Sequence, residues 1–341
     1  MDPFVAIVVG FVMLIVGGEL LVRGSVRVAE TMGVSPLLIG IVLVGFGTSA
    51  PEMATSIHAA KAGSPGIAVG NFVGSSISNI CLILGISALM MPIAVSSRAL
   101  VRDGTMVVVT AVAFAIISVF LPLNPQVGFV LLLWLAAYLF YAWRQERVVQ
   151  GSDPTSAVQK AEAHGQLRNL PTGSSTVARI RSAIPPLLSI LMAIAGLGVL
   201  IYGGGVLVDG AVELARRFGV SEAVIGLTIV AVGTSMPELV TSIVAALRGH
   251  QAMALGNILG SNIYNILGVG GLTAVVAPTV VPERIATFDN IVMVAAAVLL
   301  MVFARSGFRI NRFEGLILFS CYVAYIYSLL PGNAFMALGQ N

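Results

Sequence analysis

Long uninterrupted runs of hydrophobic residues, separated by short polar stretches, are the main pattern along the chain. Each run is long enough to cross about 30 Å of hydrocarbon as a helix. The runs fall at 3–22, 35–60, 66–91, 105–121, 127–143, 186–208, 221–247, 252–278, 287–304 and 313–330. This pattern predicts an all-α membrane protein with ten transmembrane helices. A polar linker (144–184) divides it into a first half (1–143) and a second half (185–341), with five helices in each.

The composition supports a membrane protein. Of the 341 residues, 57% are hydrophobic and only 10% are charged, and the mean hydropathy is +0.99. Soluble chains carry about a quarter charged residues. The composition therefore excludes a soluble enzyme, a nucleic-acid-binding protein and a secreted disulfide scaffold, and the net charge of +3 does not alter this. Cys81 and Cys321 lie inside apolar runs, and we interpret them as small hydrophobic residues.

The two halves contain an internal repeat. A shift of 186 residues superimposes 33–85 on 219–271 without a gap, and 26 of the 53 positions are identical. Five predicted helices separate equivalent points. Because five is an odd number, the second copy enters the membrane from the opposite side. Inverted repeats of this kind are typical of secondary transporters.

The distribution of basic residues predicts the orientation. If the N-terminus lies outside the cell, 14 of the 18 Lys and Arg residues fall on the cytoplasmic side. The four on the outer side are Lys61, Arg216, Arg217 and Arg284. Because basic residues accumulate in cytoplasmic loops, we expect a multi-pass protein of the cell (inner) membrane. Both termini would lie outside the cytoplasm, and the linker 144–184 would lie inside it.

Two glutamates stand out because they lie in the middle of apolar segments. Glu52 and Glu238 occupy equivalent positions of the two repeats, in predicted helices 2 and 7. A carboxylate at the bilayer centre costs about 2.5–3.5 kcal/mol on insertion scales, so it needs a partner or a task. The sequence places no Lys or Arg at mid-membrane depth. A cation from solution is therefore the expected partner.

The residues around these glutamates supply oxygen ligands. Thr48 and Ser49 precede Glu52 by four and three residues, which places all three on one helical face. Pro51 has no N–H, so the Gly47 carbonyl is left without its helical donor, and carbonyls near this point are expected to face a cavity. The second repeat has the same arrangement in Thr234, Ser235, Pro237 and Glu238.

Predicted helices 3 and 8 add a second polar face. Their side chains are spaced four residues apart and form one stripe on each helix, namely Asn71, Ser75 and Asn79, and Asn257, Ser261 and Asn265. We interpret Asn71 and Asn257 as helix-start or interhelical residues. Together the two faces form an all-oxygen site without His or Cys. Such a site suits Ca²⁺ and Na⁺ and is wrong for zinc or copper.

These motifs resemble those of the sodium/calcium exchangers of the cation/Ca²⁺ exchanger superfamily. Their two inverted alpha-repeats carry G-T-S-x-P-E followed by G-N-x-x-G-S-x-x-x-N. In this chain the motifs are Gly47–Glu52 with Gly70–Asn79 in helices 2 and 3, and Gly233–Glu238 with Gly256–Asn265 in helices 7 and 8. The short linker is similar to the minimal bacterial or archaeal form, which lacks large cytoplasmic regulatory domains.

The resemblance implies a monomeric antiporter that exchanges Na⁺ for Ca²⁺, without a cofactor or enzymatic activity, in which helices 1 and 6 slide across a packed core. It implies that Glu52 and Glu238 bind both ions. Further oxygens would come from the side chains of Thr48, Ser49, Thr234 and Ser235 and from the backbone carbonyls of Gly45 and Ala231. The Na⁺ sites would be completed by Ser75 and Ser261. The centre of the site would be occupied by Asn79 and Asn265. Potassium-dependent members have Asp where this chain has Asn265, so we expect no K⁺ requirement.

Charge balance gives an independent reason for exchange. Two carboxylates carry −2, which one Ca²⁺ or two Na⁺ neutralise, and loading both kinds of ion is unfavourable at low dielectric. A Ca²⁺/H⁺ antiporter, or an exchanger of another divalent cation for H⁺, remains the main alternative. A cation channel and an intramembrane enzyme fit less well. Channels use a pore ring around one axis, and the sequence contains no HExxH motif or membrane Asp pair.

Overall fold

The structure is a computed structural model that describes residues 1–96, 100–149, 186–218 and 231–329. Its helices, numbered in chain order, are α1 (Pro3–Met32), α2 (Pro36–Lys61), α3 (Pro65–Met90), α4 (Leu100–Phe120), α5 (Pro125–Val149), α6 (Pro186–Arg217), α7 (Ala231–Thr234 and Met236–Leu247), α8 (Gln251–Val276), α9 (Ile285–Arg305) and α10 (Arg312–Leu329). Two short strands, β1 (Ile93–Ala94) and β2 (Arg309–Ile310), pair antiparallel.

Eight helices of the described part, all except α7 and α10, are long and apolar enough to cross a membrane. This confirms a mostly helical, multi-pass membrane protein. The predicted span 221–247 begins outside the described residues, which resume at Ala231. The last helix has 18 residues and carries Arg312 and Glu314 in its first turn, which lowers its hydropathy.

Several helices are longer than the hydrophobic pattern predicts. The sixth continues nine residues past 208 to Arg217, and the fourth begins five residues earlier than expected, at Leu100. The first extends ten residues beyond position 22 and ends at Gly33, whose φ of 64° closes the helix. Glycine adopts this left-handed conformation without steric penalty. The fifth continues past 143 to Val149, because its charged residues are good helix formers that need not lie in hydrocarbon. The rest of the predicted linker lies outside the described residues.

Helices α3 and α8 form the centre of the molecule. Within their apolar stretches 83% and 89% of the residues are buried, against 22–39% for α1, α4, α5, α6 and α9. Phe72 on α3 packs edge-to-face against Phe114 on α4, with ring centroids 5.3 Å apart. The outer helices expose large apolar side chains such as Phe11 and Leu191, as expected for surfaces in contact with lipid. The polar stripes of α3 and α8 are thereby held inside a shell of apolar helices.

Helices α1 and α6 pack against each other along most of their length. Gly10 lies against Leu207, Gly17 against Leu200 and Gly24 against Ala193. Positions that rise along α1 meet positions that fall along α6, so the two helices run antiparallel. Glycine lets two backbones approach closely, as in other membrane helix pairs.

Short backbone pairings show which helix ends share a side of the molecule. The β1–β2 pairing joins the α3–α4 loop to the α9–α10 loop, and Gln251 at the start of α8 accepts a hydrogen bond from the Ala94 N–H over 3.0 Å. At the other side, Leu123 before α5 pairs with Thr279 after α8. The third helix therefore ends on the side where the eighth begins, and these two equivalent helices run in opposite directions.

A buried ion pair anchors the start of α4. Asp103 accepts hydrogen bonds from Arg102 over 2.6 and 3.0 Å and from the Tyr138 hydroxyl on α5 over 2.8 Å. In the other half, Asp289 at the start of α9 accepts a hydrogen bond from Tyr325 on α10 over 3.2 Å. A tyrosine therefore ties the last helix of each half to the helix before it.

Replacing Tyr138 by phenylalanine is expected to destabilise the protein. The change removes a hydrogen bond to a fully buried carboxylate, which lowers the free energy of unfolding by about 1.5–3 kcal/mol. Thermal unfolding of the purified protein in detergent would measure the effect. Tyr141→Phe, on the same helix at an exposed position, is the matched control. An equal, small shift in both variants would contradict the assignment.

Candidate cation-binding site

The helices that carry the two glutamates are both interrupted one turn before the carboxylate. The interruption lies at Ser49 in α2 (φ −80°, ψ 1°) and at Ser235 in α7 (φ −91°, ψ 7°). A proline follows two residues later in each case, and it removes the N–H that would continue the helix. The sequence predicted a loosened backbone at this point, and the structure confirms it.

Glu52 and Glu238 are fully buried. In each carboxylate, Oε1 accepts a hydrogen bond from a serine of the other repeat: Ser235 donates to Glu52 over 3.2 Å, and Ser49 donates to Glu238 over 3.5 Å. Neither Oε2 atom has a hydrogen-bond partner among the residues that the structure describes. Within the described ranges each carboxylate therefore leaves one oxygen available to a cation.

Other predicted hydroxyls join the same network between the repeats. Thr48 lies 3.5 Å from the Ser261 hydroxyl (Oγ1 to Oγ) and donates to the Asn257 side-chain oxygen over 3.2 Å. The Ser235 hydroxyl lies 3.3 Å from that of Ser75. The structure thus brings predicted site residues of α2, α3, α7 and α8 into one buried cluster.

Asn79 and Asn265 are buried beside this cluster on α3 and α8. Neither their amide nitrogens nor their oxygens have partners within the described ranges. A stretch of wider helix with i→i+5 hydrogen bonding begins at Asn79 in α3 (Asn79–Leu84). A similar stretch in α8 (Tyr264–Gly270) begins one residue before Asn265. Such stretches occur often at functional sites. These amide groups can contribute oxygen without adding charge.

The remaining predicted ligands are less clearly placed. The Gly45 carbonyl accepts a hydrogen bond from the Ser49 N–H over 3.2 Å, and its oxygen lies 3.5 Å from the Thr48 hydroxyl oxygen. Thr234 is half-buried in the last turn before the interruption of α7. Ala231 is the first residue described after the gap. Ion binding by Gly45, Thr234 and Ala231, as by the other predicted ligands, stays a prediction.

Within the described residues, the cluster contains two carboxylates, Glu52 and Glu238. In the described part of the chain, no Lys or Arg pairs with Glu52 or Glu238, and no group of three or more His, Cys, Asp or Glu residues is present. The neutral ligands are hydroxyl, amide and carbonyl oxygens. This donor set fits hard cations such as Ca²⁺ and Na⁺.

The interpretation of Asn71 and Asn257 as interhelical residues is confirmed, but their partners were missed. Asn71 donates to the Ser56 hydroxyl over 2.9 Å, and Asn257 donates to the Ser242 hydroxyl over 2.9 Å. A signal for these serines was present in the sequence. Both follow their glutamate by four residues, and the shift of 186 superimposes them.

Comparison with known proteins identifies the family. The model of the sodium/calcium exchanger protein family matches residues 3–144 and 188–330, which is most of the chain. This chain is a sodium/calcium exchanger family protein. Its resemblance to that family, inferred from the motifs, is thereby confirmed.

Relatives in this family align with the chain from end to end. The putative antiporter CaxA of Alkalimonas amylolytica is 37% identical, over 95% of this chain and 97% of its own length. The sodium/calcium exchanger MaX1 of Methanosarcina acetivorans is 33% identical, over 96% and 98%. A solved structure of the sodium-calcium exchanger NCX_Mj, soaked with 10 mM Na⁺, superimposes with a TM-score of 0.79 at 30% identity and covers 96% of this chain and 99% of NCX_Mj. The family is one of transporters that exchange cations for Ca²⁺.

Proposed function

We propose that this chain is an antiporter that exchanges Na⁺ for Ca²⁺ across the cell membrane by alternating access. The observation that carries the proposal is the pair of fully buried glutamates, each with one carboxylate oxygen unpaired within the described residues. A buried carboxylate without a partner is strongly unfavourable. A bound cation removes this penalty.

Competition between the ions follows from the charge of the site. Two carboxylates are neutralised by one Ca²⁺ or by two Na⁺, and adding one kind of ion to a site filled by the other leaves excess positive charge at low dielectric. Ca²⁺ would bind to Glu52, Glu238, Thr48 and Thr234. Na⁺ would use the same glutamates with Ser49, Ser235, Ser75, Ser261 and the carbonyls of Gly45 and Ala231.

The proposed architecture is two inverted repeats of five transmembrane helices, 1–143 and 185–341, with the linker 144–184 in the cytoplasm and both termini outside. Its support is the repeat at a shift of 186, the opposite directions of α3 and α8, and the antiparallel pairing of α1 with α6. Inversion supplies two states of similar energy that open to opposite sides. We propose that a single chain in the inner membrane is the transporting unit.

Transport into proteoliposomes tests the proposed function. Vesicles loaded with Na⁺ and diluted into Na⁺-free buffer are expected to take up radiolabelled Ca²⁺, with or without K⁺ present. Independence from K⁺ is expected because Asn79 and Asn265 add no third carboxylate. Uptake that follows an imposed pH gradient, and not a Na⁺ gradient, would assign the protein to Ca²⁺/H⁺ exchange. This alternative is the second candidate because two adjacent buried carboxylates can also bind protons.

A serine variant tests the assignment of the Na⁺ ligands. Ser75→Ala removes a hydroxyl that lies 3.3 Å from Ser235 Oγ, the donor to Glu52. We expect the Na⁺ concentration for half-maximal uptake to rise about tenfold, the effect of one lost ligand worth about 1.4 kcal/mol. The Ca²⁺ concentration dependence should change less, because Ca²⁺ is held mainly by the carboxylates.

Ser76→Ala is the matched control for this variant. The Ser76 hydroxyl donates to the Phe72 carbonyl of its own helix over 2.8 Å and is equally buried. Equal Na⁺ dependence of the Ser75→Ala and Ser76→Ala variants would exclude Ser75 from the Na⁺ site.

A further inference from the structure

Asn257 connects three of the four helices that carry the candidate ligands. Its side-chain nitrogen donates to the Glu238 backbone carbonyl over 3.3 Å and to the Ser242 hydroxyl over 2.9 Å, both on α7. Its oxygen accepts a hydrogen bond from Thr48 on α2 over 3.2 Å. The side chain itself belongs to α8 and is fully buried. One amide therefore links α8 to candidate ligand residues on α2 and α7.

The first repeat contains the counterparts of the two hydrogen bonds that the Asn257 nitrogen donates. Asn71 on α3 donates to the Glu52 backbone carbonyl over 3.0 Å and to the Ser56 hydroxyl over 2.9 Å. These residues correspond to those around Asn257 at the shift of 186. Because the arrangement occurs twice, at the two glutamates of the site, it is tied to the position of the carboxylates rather than to one local packing problem.

The chemistry of the amide fixes its orientation. The Glu238 carbonyl can only accept a hydrogen bond, so a flip that brought the Asn257 oxygen against it would replace a bond with repulsion. Both amide hydrogens and the amide oxygen are used. The backbone carbonyl that Asn257 contacts and the candidate carboxylate belong to the same residue, Glu238, which lies one turn after the interruption of α7. Holding this carbonyl against α8 thus fixes where the carboxylate stands relative to Ser261 and Asn265.

We propose that Asn71 and Asn257 are positioning residues that set the cation affinity of the site by holding Glu52 and Glu238 against α3 and α8. Neither asparagine is itself assigned as a cation ligand. This inference rests on the proposed function, since the affinity concerned is that for the exchanged ions. Partners that orient metal-binding carboxylates change metal affinity by about 10- to 100-fold when they are removed.

The test compares two buried asparagines on one helix. Asn257→Ala is expected to raise the dissociation constant for Ca²⁺, measured by titration calorimetry on the purified full-length protein, by about 10- to 100-fold. Asn262→Ala is the control, because the Asn262 side chain is also buried and donates within its own helix, to the Ile258 carbonyl over 2.7 Å. The Ca²⁺ dissociation constant of the Asn262→Ala variant should stay within about twofold of that of the unmodified chain. Unfolding temperatures, measured alongside, separate ion affinity from general stability.

A double-variant cycle distinguishes positioning from loss of packing. Ser242→Ala removes one acceptor of Asn257 and should raise the Ca²⁺ dissociation constant several-fold. This variant also allows the test if Asn257→Ala does not fold. The double variant should bind Ca²⁺ about as weakly as Asn257→Ala alone, because the two residues act through one contact. Unchanged affinity in both single variants, or an equal loss in Asn262→Ala, would overturn the inference. Absence of Ca²⁺ binding by the unmodified chain would overturn the proposed function itself.

Discussion

Replacing Glu52 or Glu238 by glutamine is expected to abolish Na⁺-driven Ca²⁺ uptake. Glutamine keeps the size of the side chain but removes half of the negative charge of the described site. Removal of one partner from a buried charge pair costs about 3–5 kcal/mol, which corresponds to a loss of Ca²⁺ affinity of at least about 100-fold. Because Na⁺ competes for the same oxygens, its binding should weaken as well.

The two glutamates should be equally sensitive, since each accepts a hydrogen bond from a serine of the opposite repeat. Radiolabelled Ca²⁺ uptake and Ca²⁺ titration of the purified variants measure the effect. Glu314→Gln is the matched control. Glu314 is also buried, but it accepts hydrogen bonds from the Ser306 hydroxyl and the Asn311 N–H at the start of α10. The Glu314→Gln substitution should lower the stability of the protein and leave its Ca²⁺ affinity unchanged. Full transport by Glu52→Gln would refute the proposed mechanism.

The sequence predicted those features that depend on local chemistry and on comparison of the chain with itself. A proline two residues after a Gly-Thr-Ser triplet must interrupt a helix, and the interruptions at Ser49 and Ser235 lie where expected. Mid-segment carboxylates without basic partners predicted a buried cation site; both carboxylates are indeed buried, and cation binding by them stays a prediction. The shift of 186 predicted that the two glutamates would have equivalent surroundings, and each indeed contacts a serine of the other copy.

Features that depend on how helices meet could not be predicted in this way. Whether the Ser49 hydroxyl faces Glu52 of its own helix or Glu238 of the other repeat depends on the packing of α2 against α7, not on spacing along the chain. The wider helical turns at Asn79 and Asn265 involve single extra residues that hydrophobic periodicity does not resolve. The true end of α1 was missed for a similar reason, because its last ten residues are only moderately apolar and are held by neighbouring helices.

Replacing the glycines at the contact between α1 and α6 is the second change for which we expect a large effect. A Cβ atom at Gly17 would lie 2.6 Å from the Leu200 backbone nitrogen and 2.8 Å from the Gly196 carbonyl oxygen. A Cβ at Gly196 would collide in the same way with the backbone of Leu21 and Gly17. Since backbone atoms on both sides leave no room for adjustment, the helices must separate. Overpacking of this kind costs about 1–3 kcal/mol.

The separation also has a consequence for transport. Gly18 packs against α7, where a Cβ would lie 3.2 Å from Val240, two residues after Glu238. An α1 helix displaced from α6 therefore presses on the helix that carries one carboxylate. We expect Gly17→Ala and Gly196→Ala to lower both the unfolding temperature in detergent and the rate of Na⁺-driven Ca²⁺ uptake, and the double variant to lower both further.

Gly198→Ala separates this effect from the general effect of a methyl group on a helix. Gly198 lies on α6 only two residues from Gly196, yet it is exposed, and no described atom lies within 4 Å of a Cβ built there. Alanine has a higher helix propensity than glycine by about 1 kcal/mol, so this variant should unfold at an equal or higher temperature and transport normally. If Gly196→Ala behaved like Gly198→Ala, close contact between α1 and α6 would not be required for stability or for exchange. The antiparallel pair would then be only a lipid-facing neighbour of the site.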